Sequence, residues 1–141
     1  MNIETPPFYN EVYELALSLV NSKSQTKSYW RLYEKLRVLC ENYTGSESDH
    51  PFQWETLADF TLDDVAALEI YTKALEIAEI LGLAQYSASI QLAMAERYLQ
   101  LGKPDYALKF ASSAKETAKS TEDSELRKEI SECLLEVSRN M

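Results

Sequence analysis

Glycine and proline are scarce in this chain, at three and four residues among 141. A sandwich or barrel of short strands turns many tight corners, and those two residues make most of them. An all-β fold is therefore disfavoured before any pattern is read, and helices are expected. Histidine is scarcer still: His50 stands alone, and no Cys-x-x-Cys or His-x-x-x-His spacing exists. No zinc-type ligand set can be drawn from that inventory, so neither a metal nor a cofactor is expected. Glycine-rich phosphate loops and nucleophile motifs are also missing, which argues for a non-catalytic protein. Cys40 and Cys133 lie far apart, each on an apolar stripe, and read as buried thiols rather than redox partners. Apolar runs last only a few residues, far short of the roughly 18 that a membrane span requires. The opening stretch Met1-Asn2-Ile3-Glu4-Thr5-Pro6-Pro7 has no basic residue ahead of an apolar run. A secretory signal is not expected there, and the cytoplasm is the expected location.

Positive charge is the other shortage. Lysine and arginine number 14 against 23 acids, a net charge of −9. Duplex nucleic acid is thereby excluded as a leading partner, because phosphate contacts need clustered cations. The imbalance is local: from Glu41 to Glu79 there are ten acids and one base, Lys73, while the rest of the chain is neutral.

What the chain does have is helical periodicity over one domain spanning 1–141. Phe8/Tyr9, Val12/Tyr13, Ala16 and Leu19/Val20 recur at three-to-four spacing, with Pro7 suited to the first turn. Tyr29, Leu32/Tyr33, Leu36, Leu39/Cys40 and Tyr43 repeat it, so residues 1–43 read as an antiparallel helical hairpin. Gly45 to His50 is the most loop-like stretch, with Asp49 or His50 placed to cap a short helix opening at Pro51. Thr61-Leu62-Asp63-Asp64 resembles a capping box ahead of a long helix from about Leu62 to Leu81. Two helices follow, about Leu83 to Leu101 and Pro104 to Ser120, and a last one over 122–140 has the charged outer side of a terminal cap. The expectation is an all-α fold of about seven helices, stacked as antiparallel hairpins.

Within it, Ala67 to Glu76 superposes on Ala107 to Glu116 at an offset of 40 residues, matching Ala67 to Ala107 and Ala74 to Ala114. A methyl at such positions lets a neighbouring helix approach closely. Ala95, Tyr98, Gly102, Ala107, Ala111 and Ala114 fall in the order and spacing of the small and aromatic positions of tetratricopeptide repeats, and the segment resembles that family in its long-helix variant. The resemblance implies a short solenoid, with two repeats over 51–121 and a capping helix after them. It also implies binding through the inner side of the stack, lined by the first helix of each repeat; on the better-matched copy those residues are Ser89, Leu92, Glu96, Leu99 and Gln100. The chaperone-tail binders of that family hold a carboxylate with Asn and Lys. Here Glu96 stands where that Asn would be, which disfavours such a ligand.

An acidic groove attracts a Lys/Arg-rich surface instead. Glu55, Asp59 and Asp63 are the candidate partner-facing acids, since no calcium-loop order accompanies them. Among nine Tyr and two Trp, Tyr9, Tyr13, Tyr33, Tyr71 and Tyr98 fall on apolar stripes and read as core. Phe52, Trp54 and Tyr86 are the better interface candidates. The sequence thus predicts a binding module for a basic or amphipathic protein partner, and analogy of charge and size suggests an immunity-type inhibitor of a bacterial toxin. The alternative is a chaperone or adaptor that shields an amphipathic helix of a client, with neither nucleic acid nor membrane as partner.

Overall fold

The computed structural model describes residues 5–141 and is helical throughout, with α1 (Tyr9–Val20), α2 (Lys27–Asn42), α3 (Pro51–Asp59), α4 (Asp64–Leu81), α5 (Ala84–Gln100), α6 (Pro104–Ala118) and α7 (Ser124–Arg139). No strand occurs among the described residues. The all-α expectation and the count of seven helices hold. No helix among them is long and apolar enough to cross a membrane. Residues 1–4, part of the stretch read for an export signal, lie outside the described residues.

The helix ends follow local chemistry. His50 caps α3, its Nδ1 accepting from the Phe52 N–H at 3.0 Å. Asp49 accepts from Gly45 N–H and the Trp54 indole at 2.8 and 2.6 Å, folding the loop onto α3. The expected capping box at Thr61 does not form. Thr61 donates back to Leu57 O and shares a 2.7 Å hydrogen bond with Tyr33, so Asp63 becomes the cap, accepting from Ala66 N–H at 2.8 Å. The placing of Pro7 in the first turn is also corrected: α1 opens only at Tyr9, after Phe8 in the left-handed region at φ 58°. At the far ends of α4 and α5 the same device recurs. Leu83 N–H reaches back to Ala78 O at 2.9 Å and Lys103 N–H to Tyr98 O at 2.9 Å, around Gly82 and Gly102 at φ 68° and 70°. A side chain at that φ is strained, which is why glycine ends both helices.

The helices form two layers. α1 touches α3, α3 touches α5 and α5 touches α7, whereas α2, α4 and α6 touch only odd-numbered helices. The even helices are therefore splayed and the odd helices drawn together, which curves the stack with the odd layer inside. Methyl-sized contacts permit that closeness. Ala67, Ala74, Ala107 and Ala114 are fully buried, joined by Ala88, Ala95, Ala111 and Ala118. The N-terminal hairpin shares the arrangement, since α1 packs on α3. Tyr29 and Tyr33 of α2 grip the α3–α4 turn, Tyr29 donating to Phe60 O and Tyr33 bonding Thr61.

Candidate functional site

The odd layer's free face carries a cleft of about 500 Å³ between α3, α5 and α7. Five carboxylates line it: Glu55 and Asp59 from α3, Asp123 at the start of α7, and Glu125 and Glu129 within α7. Phe52 and Tyr86 form its aromatic wall. A second cleft of about 290 Å³ adjoins it between α5 and α7, lined by Glu96, Leu99, Glu129, Glu132, Cys133 and Glu136. Neither cleft is lined by a lysine or arginine.

Helical spacing produces this concentration. Glu125, Glu129, Glu132 and Glu136 lie four, three and four apart, which places all four on one side of α7, beside the buried row Leu126, Ile130, Cys133 and Val137. On α3, Glu55 and Asp59 are one turn apart. Asp123 caps α7 through the Leu126 N–H at 2.9 Å and accepts from Gln85 of α5 at 3.0 Å, pinning the rim of the cleft.

Close carboxylates in a narrow space resist ionisation. Burial pushes the Glu55 carboxyl up to about 8, with Asp59 adding repulsion, although Ser89 Oγ donates to its Oε2 at 2.6 Å. Asp59 is also raised by burial, against the opposing effects of the Tyr71 hydroxyl, which donates to it, and of Arg97. Glu96 is raised by burial first and then by Glu129 and Asp59. Arg97 does not enter the clefts. Its guanidinium donates to Asp64 at 3.1 Å and to the carbonyls of Ala58 and Asp59 at 3.2 and 3.4 Å, tying α5 to the end of α3 and the start of α4. Among the described residues no three His, Cys, Asp or Glu side chains are grouped to hold a metal ion.

Of the residues singled out in the sequence, Phe52, Glu55, Asp59, Tyr86 and Ser89 line the larger cleft and Glu96 and Leu99 the smaller. Gln100 is exposed at the end of α5 and lines neither. Two of the partner-facing expectations, Trp54 and Leu92, are corrected. Trp54 is buried in the core, its indole N–H held by Asp49 and its ring covered by Lys73 Nζ at 4.5 Å. Leu92 shares the face of α5 that carries Ser89 and Glu96, but it is buried in the cluster that joins α5, α6 and α7. Asp63 is exposed and caps α4, outside both clefts. Tyr9 and Tyr13, read as core, are exposed instead. The sequence reading missed the glutamate row of α7, whose spacing was the available signal.

No family model, curated protein or solved structure matches this chain.

Proposed function

We propose that this chain is a non-catalytic protein-binding module, an array of helical hairpins of the tetratricopeptide kind, whose inner face grips a basic partner. The carrying observation is the convergence of carboxylates from α3, α5 and α7 on adjoining clefts that no lysine or arginine lines. A cationic side chain entering there meets several acceptors at once, and each carboxylate that it neutralises relieves repulsion already present in the free protein. The resemblance of residues 88–121 to the repeat supports the same face, because the first helix of a repeat is the one that lines the binding side. A cytoplasmic protein that neutralises a basic enzyme, such as an immunity partner of a secreted toxin, fits the charge and the size. A toxin reading frame directly upstream of its gene would favour that role.

A labelled lysine-rich peptide tests the reading by fluorescence anisotropy. Binding should weaken at least tenfold between about 0.05 and 0.5 M salt, over which the screening length falls from roughly 14 to 4 Å. It should also weaken at least tenfold in Glu96→Lys and Glu129→Lys, both exposed positions. Equal binding by these variants and the parent protein would reject the acidic face as the site. A chaperone or adaptor role is the second reading, favoured by the exposed apolar residues of α1.

A further inference from the structure

The inner face does not end at the carboxylates. Tyr9, Tyr13, Leu17 and Val20 of α1 are 38%, 48%, 45% and 69% exposed, and their spacing of four, four and three sets them in one row. That row is turned away from the core side of α1, where Val12 and Leu19 are buried. Its direction is fixed by stacking: the Tyr9 ring lies 5.9 Å from Tyr13 and 5.4 Å from Phe52, and Phe52 walls the larger cleft. The apolar row therefore meets the larger cleft at its Tyr9 end, giving a surface aromatic and aliphatic over α1 and carboxylate-rich over α7.

Resting on the reading under Proposed function, we infer that the apolar row of α1 and the acidic row of α7 are the two ends of one docking surface. Its occupant is a single helical segment of a partner protein, apolar toward one end and rich in lysine and arginine toward the other. Charge chooses this occupant. A second copy of the chain would set one group of carboxylates against another at a net charge of −9 each, and an anionic lipid surface would meet the same repulsion. A uniformly basic peptide would satisfy α5 and α7 and leave the α1 row in water. Size agrees as well. Neighbouring helices pack roughly 8–10 Å apart, so crossing the four odd helices covers about 25–30 Å. At about 1.5 Å per residue, a helix of about 18 residues spans it.

Two synthetic peptides of about 18 residues and identical composition provide the probe. One has its leucines and tryptophan in one half and its lysines and arginines in the other; its control intersperses them. Fluorescence anisotropy with the full chain should show the segregated peptide binding at least tenfold more tightly. The Tyr13→Ser/Leu17→Ser double variant should lose about that tenfold for the segregated peptide and little for the control. Because both positions are exposed, its urea midpoint should match that of the parent protein, which separates a binding defect from misfolding. Equal affinity for the two peptides, or a double variant that binds the segregated one normally, overturns the composite surface; if Glu96→Lys still weakens both, the acidic-face reading survives alone. Binding of neither peptide rejects both. A self-association in sedimentation that the double variant abolishes would make a second copy the occupant and also overturn the inference.

Discussion

Replacing Glu55 by glutamine should make the protein more stable, and increasingly so as pH rises. In the folded chain burial holds this carboxyl at about 8, whereas 4.5 is its ordinary value. An acid whose folded value is raised keeps its proton in the native state after the unfolded chain has released it. Stability is therefore fully present below about 4.5 and is lost as pH rises toward the folded value. With those two values the loss is about 2 kcal/mol at pH 6 and between about 4 and 5 kcal/mol at pH 9. Both are upper bounds, because the cleft is open to water that screens the charge. Glutamine cannot ionise, and its Oε1 can still accept from Ser89 Oγ, now 2.6 Å from Glu55. Discounted for screening, the gap between variant and parent should widen by about 1–2 kcal/mol from pH 6 to pH 9. In urea unfolding followed by circular dichroism, that is a midpoint difference growing by about 1 M at a slope typical of this size. Parallel pH profiles for the two proteins would refute the claim that Glu55 is held neutral by its surroundings.

Two further substitutions probe the packing that builds the site. Ala107→Leu forces three extra carbons into a fully buried position of α6 and should cost about 1–3 kcal/mol or more, read as a fall of several degrees in the melting temperature. Ser112→Leu, at an exposed position of the same helix, should leave it unchanged. Arg97→Met strips the partner from Asp64 and from the carbonyls of Ala58 and Asp59, with an expected loss of about 1–3 kcal/mol in urea unfolding. It should also steepen the decline of stability with rising pH, because Arg97 lowers both Asp59 and Glu96; an unchanged slope would show that its charge is not felt in the clefts.

Helix positions were legible because a 3.6-residue period and the glycine at φ 68° in Gly82 are local signals. Which side of each helix meets water was only partly so. On α1 the rows Val12–Leu19 and Tyr9–Tyr13–Val20 are both apolar and both periodic, and only the placement of α2 and α3 decides that the first is buried. On α3, packing against α1, α2, α4 and α5 buries six of its nine residues, so Trp54 has no outward side to occupy despite its acidic neighbours. Leu92 shares its face of α5 with Ser89 and Glu96 yet is covered, since α5 packs against α3, α4, α6 and α7. Charge was counted along the chain from Glu41 to Glu79, but a surface is assembled across it. Asp63 caps α4 outside the clefts, and Glu129 and Glu136 line one from a stretch that is neutral overall.

The same methyl-sized contacts that define the fold draw together the odd helices that carry the carboxylates. Alanines at Ala88, Ala95, Ala107 and Ala111 let α5 and its neighbours approach closely. Across the adjoining clefts of the inner layer, desolvation raises the carboxyls of Glu55, Asp59 and Glu96. A raised acid is a cost borne by the native state at neutral pH. A cationic segment that restores these groups to the ionised form recovers the cost on binding, and only the folded chain presents them together, so occupancy and stability must rise together. Carboxylates spread along an extended surface would already be ionised in water and would return little of this gain.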